Sequence, residues 1–275
     1  MNVELLDDLK PSTIISRMFH IRHLMTDLRR GEMTFVNPNR WGDRFENLLT
    51  SCAMDLVDDK GFVGQAFFDR NRRPVRAQCW SRTVDSEAQW RMYSGFRDYD
   101  AVPKRIHKES ALVVSSVEEL AETLQPPSGW TVFIGRVKYL PREHLAQLFA
   151  NEVGARLGQA FSGDEGHARS LLFKRHHFEF EQEIRVLAVP ASRVALYDDL
   201  LAIPMAKTDW IREIILDPRL VGWKAAKKAE SLMRRRFARQ ARQTELRERH
   251  LYQIQVHIPS ELADRVRKSG PEILY

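Results

Sequence analysis

Apolar and polar positions along the chain predict an alternation of short strands and short helices. "RMFHIRHL", from Arg17 to Leu24, has the mixed apolar content of a strand, "MTDLRRGE" reads as a helical turn ending at Gly31, and "MTFVNP" is a second strand stopped by Pro38. "NPNRWGDRFEN" (37–47) reads as a polar loop that carries Trp41 and Phe45. Large aromatics in a loop point to docking against the rest of the molecule. The glycine- and arginine-rich stretch from Asp58 to Arg76 reads as irregular, and "RAQCWS" as a short strand entering the core at Cys79.

"DSEAQWRMYSGF" predicts a helix capped by Asp85 or Ser86, with Trp90 and Tyr93 three apart on one face. "ALVVSS" is a buried-looking strand, and Ser116 with Glu119 fits a capping box for the helix "VEELAETL". "SGWTVFIGRVKYL" and "WIREIILDP" are further strands, and "REHLAQLFANEV" follows Pro141 as a helix. Toward the end come a cationic helix, the strand "YQIQVHI" and a short helix capped by Ser260. The pattern predicts an α+β fold: one α+β core domain over residues 1–220, with residues 221–275 packed on it as a basic helix and a C-terminal strand and helix.

The longest strand candidate is "SLLFKRHHFEFEQEIRVLAV". It alternates, with Phe178, Phe180, Ile184 and Val186 on one face and Glu179, Glu181, Glu183 and Arg185 on the other. Side chains two apart on a strand lie roughly 7 Å from each other, so three carboxylates on one face need opposing cations or a shared proton. Two readings stand: an exposed sheet face laced by cross-strand ion pairs, or a functional strand. His20 with His23, and His176 with His177, invite a metal reading, but adjacent histidines on a strand point to opposite faces and neither pair has the partners of a zinc site. No metal is expected.

Charge changes the picture in one place. The net charge is +6, yet the segment from Trp223 to Arg249 holds ten Lys/Arg against three Glu, a local +7 that leaves the remainder at −1. Ala225, Ala229, Leu232, Met233 and Phe237 give that segment one apolar stripe, so it reads as a docked helix with a cationic back. Lys227, Arg234, Arg235, Arg236 and Arg239 are its candidate contacts to nucleic acid, with salt-dependent and sequence-indifferent affinity, or to an acidic protein partner. The 43% hydrophobic content suffices for a core, two cysteines are too few for a disulfide framework, and there is neither a signal-peptide pattern nor a run of about eighteen apolar residues. The expectation is a cytoplasmic protein that does not engage a membrane. Dinucleotide, P-loop and nucleophile-elbow motifs are absent, and Cys79 reads as a buried structural thiol.

Four segments in order carry a resemblance: "MFHIRHL…RRGEMTFVNPNRWGDRFEN", "QCWSRTVDSEAQWRMYS", "ALVVSSVEEL" and "LLFKRHHFEFEQEIRV". They resemble the prokaryotic domain-of-unknown-function family 2971 over roughly residues 18 to 190, with two departures. Arg44 stands where the loop has proline, and "SGFRDYDAVPKRIHKES" replaces a short glycine-containing link. The layout is also similar to the ADP-ribosyltransferase superfamily. That similarity implies a single mixed or antiparallel sheet with flanking helices, NAD as substrate, and ADP-ribose transfer or NAD hydrolysis in a toxin or antiphage-defence effector. It implies Glu183 or Glu181 with Tyr93 as catalytic residues. His20, Arg22, Trp41, Asp43, Ser81, Trp90, Lys174 and Arg185 would be the cofactor-binding residues. The alternative is a non-catalytic module that binds nucleic acid or protein through the basic helix.

Overall fold

The computed structural model describes residues 3–41, 46, 54–66, 74–84, 86–94, 110–145, 147–148, 161, 163–191, 199–207, 209–216 and 245–248. Fourteen strands run through them: β1 (Val3–Leu5), β2 (Ile14–His20), β3 (Glu32–Val36), β4 (Met54–Asp58), β5 (Gly61–Ala66), β6 (Arg76–Ser81), β7 (Ser110–Ser116), β8 (Trp130–Arg136), β9 (Lys138–Leu140), β10 (Phe173–Arg175), β11 (Glu183–Pro190), β12 (Leu200–Pro204), β13 (Glu213–Leu216) and β14 (Glu245–Glu248). Helices α1 (Ile21–Arg30), α2 (Glu87–Tyr93), α3 (Val117–Thr123) and α4 (Gly163–Ser170) accompany them, and residues 142–145 and 147–148 are also helical, as expected after Pro141. The fold is α+β, built on one mixed sheet in the order β1-β8-β11-β6-β2-β7-β13-β14, with β3 and β12 off that path. Two small pairs, β9 with β10 and β4 with β5, stand apart from it.

The sheet forks at β6. One end of β6 pairs with β2 through Ser16 and Ser81, and the other pairs with β3 through Val36 and Ala77. On its other edge β6 runs in continuous register with β11, from Glu183 opposite Ser81 to Ala188 opposite Arg76. β11 is covered on both faces. Ile184, Val186 and Ala188 join the main apolar core with Trp80, Phe19, Phe35 and Ile134, while Leu187 and Val189 join a smaller core with Phe133, Leu171 and Leu172. Glu183 and Arg185 share the face of Leu187, so two charges are sealed at the edge of that smaller core.

Several local expectations meet physical competition. The first strand ends at His20, and "IRHL" belongs to α1, where Ile21, Leu24, Met25 and Leu28 make one buried face at helical spacing. Gly31 ends α1 in the left-handed region, φ 64°, and its N–H bonds back to the last turn. The expected irregular stretch begins at the last residue of β4 and holds β5, the two joined as a hairpin that turns at Asp59 and Lys60 into Gly61 at φ 117°. Ser116 and Glu119 form the capping box in full. Ser86 caps α2, and Asp85 lies outside the described residues.

The largest correction concerns the long strand candidate. It is three pieces: β10, a 3-10 turn over His176–Glu181, and β11, joined through Gln182 in the left-handed region at φ 46°. The strand alternation therefore holds only from Glu183 onward. Phe180 is exposed and Phe178 half-buried while Ile184 is buried, and the rings of His176 and His177 lie 4.0 Å apart, not on opposite faces. Backbone and side-chain bonds hold this turn: Arg82 N–H donates to the Gln182 carbonyl at 3.0 Å, and Ser81 Oγ to the Glu181 carbonyl at 2.5 Å. β14 likewise replaces the far end of the expected basic helix, pairing parallel to β13.

Candidate functional site

Lys174 on β10, Glu181 at the end of the 3-10 turn, Glu183 and Arg185 on β11, and Glu46 form one buried network. Arg185 Nε donates to Glu183 Oε1 at 2.9 Å and Nη2 to Oε2 at 3.1 Å, so the carboxylate is gripped at both oxygens. Its remaining contacts are Glu46 Oε2 at 2.7 Å and the Leu171 carbonyl at 2.5 Å. The Trp41 ring lies 4.2 Å from the same guanidinium, which accounts for an indole in a polar loop. Lys174 Nζ reaches Glu46 at 3.0 Å, Glu181 at 2.5 Å and Glu183 at 3.2 Å, and packs 4.8 Å from the Phe178 ring. Three carboxylates face two cations, a balance of −1 held almost out of contact with water.

Environment separates the carboxylates. Burial pushes Glu183 up, but the Arg185 charge and hydrogen bonds, with Lys174, outweigh it and bring the carboxyl down to about 2. Burial dominates at Glu46, which stays raised despite Arg185 and Lys174. Burial alone would lower Lys174; Glu183, Glu46 and Glu181 raise it instead, so the ammonium is firmly charged. Tyr93 projects from α2, is 49% exposed, and donates its hydroxyl to Glu181 Oε1. Burial and then Glu181 hold that phenol far above its ordinary value, so it is a donor at any working pH. Cys79 is likewise pushed up, by burial and by Glu183, which suits a structural thiol and not a nucleophile.

The structure brings together Trp41, Ser81, Tyr93, Lys174, Glu181, Glu183 and Arg185 from segments up to about 140 positions apart in the sequence. Ser81 acts through the backbone: its Oγ holds the Glu181 carbonyl and accepts from Gln89 Nε2 at 2.7 Å. Trp90 is buried in a separate apolar cluster with Leu112, Val114 and Ile215. His20 ends β2 four residues beyond Ser16, the residue level with Ser81, which sets it roughly 13 Å further along the strand. There its ring lies 5.2 Å from that of His23, with Nδ1 buried and lacking a hydrogen-bond partner among the described residues. Arg22 is exposed on α1. Asp43, Lys227, Arg234, Arg235, Arg236 and Arg239 lie outside the described residues.

Three members, Glu46, Tyr139 and Gln89, are not among the candidate residues. Tyr139 accepts the Glu183 backbone N–H on its hydroxyl at 2.7 Å, and Gln89 steadies Ser81; neither stands out by spacing, since each earns its place through a contact across the fold. Among the described residues no three His, Cys, Asp or Glu side chains gather as a metal site, and no helix is long and apolar enough to cross a membrane.

No protein-family model matches the chain, and no curated protein does, so the resemblance to family 2971 rests on the motifs quoted above. Solved structures of DarT from Thermus sp. 2.9 are loosely similar. The complex with NAD+ shares 14% identity at a TM-score of 0.36, covering 88% of this chain and 98% of that one. The complex with ADP-ribosylated ssDNA shares 15% at 0.36, covering 89% and 97%, and the complex with carba-NAD+ shares 16% at 0.35, covering 88% and 97%. Overlap that loose leaves the side chains of the network to carry the functional argument.

Proposed function

We propose that the protein is an NAD-dependent ADP-ribosyltransferase or NAD glycohydrolase whose reacting groups are Glu181 and Tyr93. The observation that carries this reading is the hydrogen bond between them: residues from two of the segments that carry the resemblance, 88 positions apart, meet where the buried carboxylate network reaches the surface. Glu183 is enclosed by Arg185 and Lys174, and Glu181 is bonded to a half-exposed side chain. A substrate approaching from solvent therefore meets Tyr93, with Glu181 directly behind its hydroxyl.

The chemistry suits such a pair. Breaking the bond between nicotinamide and ribose C1′ expels neutral nicotinamide and leaves an oxocarbenium-like sugar, which an adjacent carboxylate stabilises. The oxygen or nitrogen of an acceptor, or of water, then bonds to C1′ and gives its proton to Glu181. Tyr93, held as a neutral phenol, donates to Glu181 and presents its ring to the nicotinamide side. The test is nicotinamide release from NAD, followed by chromatography, with acceptors offered in separate reactions. Glu181→Gln is expected to lower turnover by a factor of about 100 or more, the scale of losing one electrostatic contact to a transition state. A wild-type protein that neither binds nor consumes NAD removes the proposal.

A further inference from the structure

An ammonium has three hydrogens to donate, and Lys174 faces three carboxylates, Glu46 at 3.0 Å, Glu181 at 2.5 Å and Glu183 at 3.2 Å. None is left for a ligand phosphate. The three carboxylates are not held equally. Arg185 also grips Glu46 and Glu183, whereas Lys174 is the sole cation on Glu181 among the described residues.

We infer that Lys174 is the positioning residue of this site and acts through Glu181: it holds Oε2, so that Oε1 meets the Tyr93 hydroxyl, while Arg185 holds the other two carboxylates. The functional half of this inference rests on Glu181 being the reacting carboxylate; the structural half does not. Lys174 follows the apolar "LLF" two residues before the 3-10 turn, and its Nζ lies 4.8 Å from the Phe178 ring at 5% exposure of the residue. That enclosure fixes the ammonium and, with it, the one carboxylate that has no second cation. The carbonyl of Glu181 is pinned separately by Ser81 and Gln89, so the backbone keeps its place while the side chain depends on Lys174.

The experiment is urea denaturation of the full chain as wild type, Lys174→Met, Glu181→Gln, Lys174→Met/Glu181→Gln and Lys174→Met/Glu183→Gln. Lys174→Met is expected to lower the midpoint. Adding Glu181→Gln should raise it again, because the carboxylate stranded without a cation is removed. Adding Glu183→Gln should lower it further, because Arg185 then loses the carboxylate that it grips at both oxygens and keeps only Glu46. Rescue by Glu183→Gln and not by Glu181→Gln overturns the inference. Should Lys174→Met fail to fold, recovery of cooperative unfolding in Lys174→Met/Glu181→Gln supports it, and failure of that double variant to fold overturns it.

Turnover supplies a readout that a merely structural lysine would not move. In Lys174→Met the kcat for NAD turnover should fall by a factor of about 10 or more, since a carboxylate that has lost its cation no longer holds Oε1 in one direction. NAD affinity by calorimetry should change by less than about threefold, because no ammonium hydrogen was free for the ligand. An unchanged kcat with binding weakened tenfold assigns Lys174 to the ligand and overturns the inference. If wild type releases no nicotinamide, the enzymatic reading falls while the denaturation series still decides the role of Lys174.

Discussion

The two glutamates of "EQE" lie two residues apart and live in different places. Glu183 opens β11, is buried between two packed faces, and is gripped at both oxygens by Arg185. Glu181 ends a 3-10 turn, is equally buried as a residue, and yet bonds a tyrosine that is 49% exposed. One carboxylate is part of how the sheet is held, and the other is what the sheet holds toward solvent. The left-handed Gln182 between them makes the difference, because it ends the turn and starts the strand within one residue. A buried charge is therefore weak evidence of function by itself; its route to the surface is what distinguishes the pair.

The sharpest way to break the comparison is at Arg185. Arg185→Met removes the guanidinium from Glu183 and Glu46 and leaves Lys174 as the one cation, among the described residues, facing all three carboxylates. Stripping one partner from a buried pair costs about 3–5 kcal/mol, so the variant should unfold at a markedly lower urea midpoint, with the loss of the Trp41 contact adding to it. A midpoint within experimental error of wild type would show that Glu183 is not locked as described.

How much of this was legible in the sequence depends on whether local pattern or distant contact decided it. The capping box at Ser116, the Ser86 cap and the β11 alternation from Glu183 follow from spacing, and they are found where spacing puts them. The α1 boundary was misplaced although Ile21, Leu24, Met25 and Leu28 carry a helical period, because the aromatic-basic run before it reads as strand. The 3-10 turn was hidden: "FEFE" alternates as a strand does, and only the bonds from Ser81 and Arg82, a hundred residues away in sequence, bend it. The site followed the same rule. Its charged residues were visible as a cluster of types, and Tyr139 and Gln89 were not, since nothing local marks a side chain whose partner is across the sheet.

A smaller and more selective effect separates the two carboxylates by pH. The Glu183 carboxyl sits at about 2 when folded, below its ordinary 4.5, so its stabilisation is complete above the unfolded value and is lost as pH falls toward the folded one. That window is worth roughly 3 kcal/mol. Glu46 runs the other way, because its raised carboxyl accepts a proton more readily in the folded protein, which blunts the slope of wild type alone. The informative quantity is the gap in unfolding free energy between wild type and Glu183→Gln. It should be wide at pH 7 and close progressively between about pH 5 and pH 2. A gap that does not vary over that range would mean that the charge of Glu183 contributes nothing to the fold.

The smallest expected effect on stability falls at the exposed end of the network, and it is the one that most directly separates holding from presenting. Tyr93→Phe deletes a hydroxyl that donates to Glu181, but the ring keeps its place on α2, where Trp90 anchors the helix in an apolar cluster of its own. Tyr93 is half exposed as a residue and its bond to Glu181 only part-buried, so water can take over the donated bond and the unfolding free energy should change by no more than about 1 kcal/mol. NAD turnover should nevertheless fall by a factor of about 10 or more, because water does not hold Glu181 Oε1 in one direction as the phenol does. Stability and turnover thus move apart at Tyr93, where at Arg185 they fall together. If Tyr93→Phe destabilised the chain as severely as Arg185→Met, the tyrosine would belong to the lock around Glu183, and the division between the two carboxylates would collapse.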